Sequence, residues 1–133
     1  MTILPHRDPM LLVEEAYREG DTAVGKYTVK GDEFFLQGHF PGNPIVPGVI
    51  LCEMLAQATC VLLADIGMEG KTSLFTGMKE VKFKTPVRPG DTLESRCEII
   101  KQKPPFYFAK GTGYVNGKVA VSAEFSFALV DMK

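Results

Sequence analysis

Two residues stand out for the chemistry they could do, His39 and Glu53. His39 is one of two histidines in the 133-residue chain. It lies in Gly38-His39-Phe40-Pro41-Gly42-Asn43-Pro44-Ile45-Val46-Pro47-Gly48, where three prolines and three glycines pin the backbone. Rigid irregular chain of this kind often holds a side chain for a task. A neutral imidazole accepts protons near neutral pH, so His39 is a candidate general base. Glu53 is an acid inside a long apolar run. Desolvation favours the neutral form of such a carboxyl, which makes Glu53 a candidate general acid. Gly48 opens that run. At a helix start its N–H has no intrahelical partner and the positive end of the dipole stands behind it, which suits a carbonyl oxygen gaining negative charge. Together these groups describe proton abstraction next to a carbonyl with loss of a β-substituent. The same residues also read as a structural loop histidine and an acid paired with Gln57 or with a partner chain. Spacing alone leaves that choice open. No residue set supports a serine or cysteine nucleophile, and His6 with His39 offers too few ligands for a metal.

The elements that would hold these groups follow from periodicity. Val49 to Ile66 is rich in Leu, Ala and Met and reads as one helix, with Pro47 near its first position and Gly67 as its C-cap. It is apolar nearly all round, so it is buried on nearly all sides. Glu53 and Gln57, four apart, share a face. The run is interrupted by a carboxylate and an amide and is barely long enough to span a bilayer, so a membrane span is not expected. Ahead of it, Met1 to Pro9 is a lead-in, with His6 read as a hydrogen-bonded surface or interface residue. Met10 to Tyr17 and Thr22 to Val29 read as strands, and Gly31 to Gln37 as a loop or one helical turn. Behind it, Gly77 to Arg88, Thr92 to Ile100, Phe106 to Val115 and Lys118 to Val130 read as strands. The last pair forms a hairpin across Asn116-Gly117. In the first of these, Lys82, Lys84 and Arg88 fall on one face. One buried helix followed by antiparallel strands predicts a single α+β domain over residues 1–133. A single sheet leaves one flank of such a helix open, so a partner subunit is expected.

Composition narrows the classes. The formal net charge is −1, which gives no electrostatic case for nucleic acid. Cys52, Cys60 and Cys97 are an odd, sparse set without CxxC spacing, which argues against a disulfide framework and against zinc. Inert buried thiols in a reduced, cytoplasmic setting are expected. No basic and apolar leader opens the sequence, so no secretory signal is expected.

The Gly38–Gly48 stretch, with Glu53 and Ala56-Gln57-Ala58, resembles the β-hydroxyacyl-(acyl carrier protein) dehydratases of bacterial type II fatty-acid synthesis. Leu4-Pro5-His6-Arg7-Asp8-Pro9, followed by Leu11-Leu12-Val13, is similar to that family's N-terminal segment. Lys82-Phe83-Lys84 with Pro86-Val87-Arg88-Pro89-Gly90-Asp91 is similar to its third-strand segment. The resemblance implies a hot-dog fold, in which a curved antiparallel sheet wraps one long helix. It implies a homodimer, commonly a trimer of dimers, with each site built from His39 of one subunit and Glu53 of the other. Gly48 would polarise the thioester and Gln57 would orient Glu53. The implied reaction is reversible loss of water from a (3R)-hydroxyacyl thioester to give the trans-2-enoyl thioester, with no cofactor or metal. The partner would be an acyl carrier protein bearing a phosphopantetheine-linked chain. Lys82, Lys84 and Arg88 would then form its docking patch, where the plain alternative is a solvated strand face. Glu53, rather than Asp, resembles the dehydratase-only branch. The chain departs from the family's pattern at Asp8, at Met10 and at Lys103-Pro104-Pro105, differences that bear on the acyl tunnel. Other activities set beside this one are a hot-dog thioesterase, an (R)-specific enoyl-CoA hydratase and a non-catalytic acyl-binding module.

Overall fold

The computed structural model describes residues 11–36, 44–66 and 71–131. Among the described residues, six strands and one α-helix make up the core: β1 (Glu15–Glu19), β2 (Thr22–Thr28), α1 (Gly48–Thr59), β3 (Lys71–Phe83), β4 (Thr92–Lys103), β5 (Phe106–Val115) and β6 (Lys118–Asp131). Short 3-10 segments occupy Phe34–Leu36 and Cys60–Ile66. The strands form one antiparallel sheet in the order β1-β2-β4-β5-β6-β3. The helix packs on β2, β4, β5 and β6. This is the α+β, hot-dog arrangement of one sheet around one helix.

Local chemistry explains the main features. Asn116 and Gly117 have φ of 52° and 79°, the left-handed pair that a two-residue hairpin turn demands, and they join β5 to β6. Along β4, Leu93, Ser95 and Cys97 are buried on the helix side, while Glu94, Arg96 and Glu98 alternate toward solvent. The helix contributes Leu51, Met54, Leu55 and Ala58 to the core. It comes unusually close to β2 at Gly25, where an added Cβ would sit 2.6 Å from the Ala58 Cβ. That approach fixes the depth of the helix against the sheet, and with it the height of Glu53.

Several boundaries differ from expectation. The first strand begins at Glu15 rather than Met10. Leu12 and Val13 are buried before it, and the Leu12 N–H is tied to Gln57 instead of to a ladder. The helix is α-helical only to Thr59 and tightens to 3-10 over Cys60–Ile66. There the Thr59 hydroxyl donates to the Leu55 carbonyl and the Cys60 thiol to that of Ala56, and such bonds to i−4 carbonyls compete with the regular helix. Pro47 is the N-cap, beside the first helical position as expected, and the helix opens at Gly48 rather than Val49. The third strand runs over Lys71–Phe83 instead of Gly77–Arg88. Its register shifts between Lys79 and Lys82, with Glu80 at φ 53°, and Pro86 follows the end of pairing. Thus Lys82, Lys84 and Arg88 do not share one strand face. Lys82 is in β3, and the other two lie beyond its end. β4 extends to Lys103, past a register shift between Ile99 and Lys101.

Candidate active site

The best-defined polar group in the core is Gln57, which is 1% exposed. Its Oε1 accepts the Leu12 backbone N–H at 2.8 Å, and its Nε2 donates to Glu53 Oε2 at 2.9 Å. The Leu12 bond decides which end of the amide faces which way. With Oε1 occupied by a backbone donor, Nε2 is left to point at the carboxylate. A buried segment from the start of the chain therefore aims the hydrogen bond that orients Glu53. The i, i+4 spacing on α1 brings the two side chains to one face, as expected from the sequence.

Glu53 is half-buried and lies at a cleft of about 220 Å³ whose walls include Cys60, Leu63, Phe75 and Phe127. The cleft runs along the helix on the side facing β3. Beyond the Glu53–Gln57 pair its walls are apolar, so it suits a polar head group at Glu53 and an alkyl tail toward Leu63. Toward the other end of the helix stands Gly48. The first helical hydrogen bonds there run from the Ile50 and Leu51 N–H groups to the Pro47 carbonyl, so the Gly48 N–H precedes the helical ladder. The ring of Phe83 lies against it, with its edge 2.6 Å from where a Gly48 Cβ would be.

The chain on either side of the histidine motif is anchored. Upstream, Glu33 accepts the Lys30 and Gly31 N–H groups and the Tyr27 hydroxyl, and Phe35 and Leu36 are buried. Burial pushes the Glu33 carboxyl up, but these hydrogen bonds outweigh it and hold the group below its ordinary value. Downstream, the Val46 N–H bonds to the Val87 carbonyl, and Val46 and Val87 are both buried. His39 itself, His6 and the Gly38–Asn43 part of the motif lie outside the described residues.

The three cysteines are buried and free. Burial raises the Cys52 thiol and pushes Cys97 up to about 12, against a weaker opposing hydrogen bond involving Thr59. All three pack in the hydrophobic core, their burial as expected. Lys82 lines a depression on the sheet face away from the helix, beside Arg96, Lys110, Glu98 and Glu124. That surface carries both signs of charge. Lys84 and Arg88 are exposed near the turn in which the Asp91 carboxylate accepts the Arg88 N–H. Sequence reasoning missed Phe83 and the Leu12 backbone as parts of the site. The sequence signal for Phe83 was its apolar position between Lys82 and Lys84; its pairing with Val121 shows that it faces the helix. Among the described residues, no helix is long and apolar enough to cross a membrane.

The family described as FabA-like domain matches residues 4–124. The 3-hydroxyacyl-(acyl-carrier-protein) dehydratase FabZ of Caldicellulosiruptor saccharolyticus is 45% identical, over 97% of this chain and 94% of its own. The protein of the same name from Oleidesulfovibrio alaskensis is 42% identical, over 97% and 87%. Among solved structures, the dehydratase heterocomplex ApeI:P from Xenorhabdus doucetiae aligns with a TM-score of 0.81 at 24% identity, covering 97% of this chain and 89% of that one. At that identity the structural likeness speaks for the fold.

Proposed function

Because the chain belongs to the FabA-like family, we propose that it is a hydro-lyase that removes water from a (3R)-hydroxyacyl chain on acyl carrier protein, giving the trans-2-enoyl thioester. The observation that carries this reading is a carboxyl group, Glu53, held by a buried amide at the polar end of an apolar cleft. His39 takes the proton from C2. The electrons move toward the carbonyl, whose oxygen gains charge against the Gly48 N–H. Glu53 gives its proton to the C3 hydroxyl, the C3–O bond breaks, and water leaves. Gln57 keeps the Glu53 carboxyl turned toward that hydroxyl. The elimination moves protons and a hydroxyl without change of oxidation state, so it calls for no cofactor.

The site is shared between subunits of a homodimer, His39 coming from one and Glu53 from the other, with dimers assembling further in threes. The exposed apolar side chains of the edge strand β3 support this: Leu74, Phe75, Met78 and Phe83 are 53%, 42%, 48% and 55% exposed. Lys82, Lys84 and Arg88 meet the acidic carrier protein. Three free, buried cysteines favour the cytoplasm.

Turnover of 3-hydroxyacyl carrier substrates of graded chain length tests this function. Enoyl thioester formation, followed by its absorbance, is the expected result. Release of free thiol without enoyl product, a marked preference for coenzyme A, or binding without turnover would each replace it.

A further inference from the structure

Phe83 is the last residue of β3 and pairs with Val121, which is fully buried, so it faces the helix side of the sheet. Yet it is 55% exposed. Its ring is held edge-on against the backbone of Gly48, where a Cβ would lie 2.6 Å from Cζ and 2.9 Å from Cε1. Glycine at 48 is what lets the ring come so near. Any carbonyl oxygen that accepts the Gly48 N–H therefore has this ring beside it. The apolar tail cleft lies further along the helix, past Glu53, so the ring stands at the thioester end.

We propose that Phe83 is a reaction-specificity residue, whose ring shields the thioester carbonyl at Gly48 from bulk water. This rests on the role given above to Gly48 in a dehydratase. An N–H that stabilises an enolate oxygen equally stabilises the tetrahedral oxygen formed when water adds to the same carbonyl. In that side reaction the water oxygen bonds to the carbonyl carbon, the C–S bond breaks, and the thiolate takes a proton. Carboxylic acid and free carrier thiol result. Both reactions draw on one polarised carbonyl, so access of water decides between them. The aromatic edge fills the place from which that water would approach, while leaving the C2 and C3 positions open toward Glu53.

The test measures enoyl formation and thiol release together, in wild type, Phe83→Ala, Phe83→Leu and Phe83→Tyr, on one 3-hydroxyacyl carrier substrate. Phe83→Ala should raise the ratio of thiol to enoyl by about tenfold, and Phe83→Leu by about threefold. Phe83→Tyr, which keeps the ring, should hold the wild-type ratio. An unchanged or lower ratio in Phe83→Ala overturns the proposal. Should the alanine variant not fold, the leucine variant decides by the same rule. A wild type that makes no enoyl product instead refutes the dehydratase reading itself.

Discussion

Replacing Gln57 by leucine probes the joint between fold and chemistry. The amide is 1% exposed, accepts the Leu12 N–H and donates to Glu53. Leucine fills similar volume but leaves the Leu12 N–H buried without a partner, at a cost of about 1–3 kcal/mol. It also removes a donor to a carboxylate, a bond worth about 1.5–3 kcal/mol when well desolvated. Glu53 is only half-buried, and water replaces part of that bond. The net loss should be about 2–4 kcal/mol, or roughly 10 °C in melting temperature for a chain of this size. With the Gln57 bond to Glu53 gone, kcat should fall about 10²-fold, the usual result of a misplaced catalytic group. KM should change little, because the apolar walls remain. Gln57→Glu separates the two bonds. It still accepts from Leu12 but sets a second carboxyl against Glu53, and two such groups share one proton. Its stability deficit should be largest at neutral pH and shrink on acidification. The assays are denaturant melts across pH and steady-state dehydration. Wild-type stability and kcat in Gln57→Leu, or a pH-independent deficit in Gln57→Glu, would refute the reasoning.

Further outcomes follow from other contacts. Gly25→Ala forces a Cβ to within 2.6 Å of the Ala58 Cβ and should cost about 1–3 kcal/mol in a denaturant melt, lifting the helix off β2. Glu33 has a carboxyl held below its ordinary 4.5, so it adds stability above that value and loses it as pH falls through the folded value. The melting-temperature gap between wild type and Glu33→Gln should therefore be widest near neutral pH and close below the ordinary value. Reversing Lys82 and Lys84 to Glu should raise KM for carrier-bound substrate at low salt while sparing a short thioester on a small neutral thiol, since steering is screened within about 8 Å at physiological salt. Equal effects on both substrates would count against docking. Co-refolding inactive His39→Ala with inactive Glu53→Ala chains should restore activity, and failure to do so in proven mixed dimers would place the site within one chain.

Much of the architecture was legible because local signals agreed with the global fold. Asn116-Gly117 could hardly serve except as a tight hairpin, and the alternation of Leu93, Ser95 and Cys97 fixed which face of β4 met the helix. Helical spacing put Glu53 and Gln57 on one face, but left open whether they bond, which the structure shows. What escaped was set by tertiary contacts. The ends of the first and third strands depended on where partners lay, since the Leu12 N–H found Gln57 rather than a ladder and a kink at Glu80 shifted β3. Because β3 stops at Phe83, ahead of Pro86, an even alternation carried on through Arg88 misassigned the basic residues to one face. The helix's change of pitch after Thr59 arose from hydroxyl and thiol bonds back to the preceding turn, which apolar periodicity does not register. Phe83 looked like one more alternating hydrophobe until its contact with Gly48 gave it a place.

Glu53→Gln puts the central claim to its most direct test. The amide matches the carboxyl in size but has no acid proton to give. On a 3-hydroxyacyl carrier substrate, wild type should form enoyl thioester. The variant should retain its melting temperature and KM while kcat falls about 10²–10⁴-fold. A Glu53→Gln protein that folds normally and dehydrates at a near wild-type rate would contradict the account.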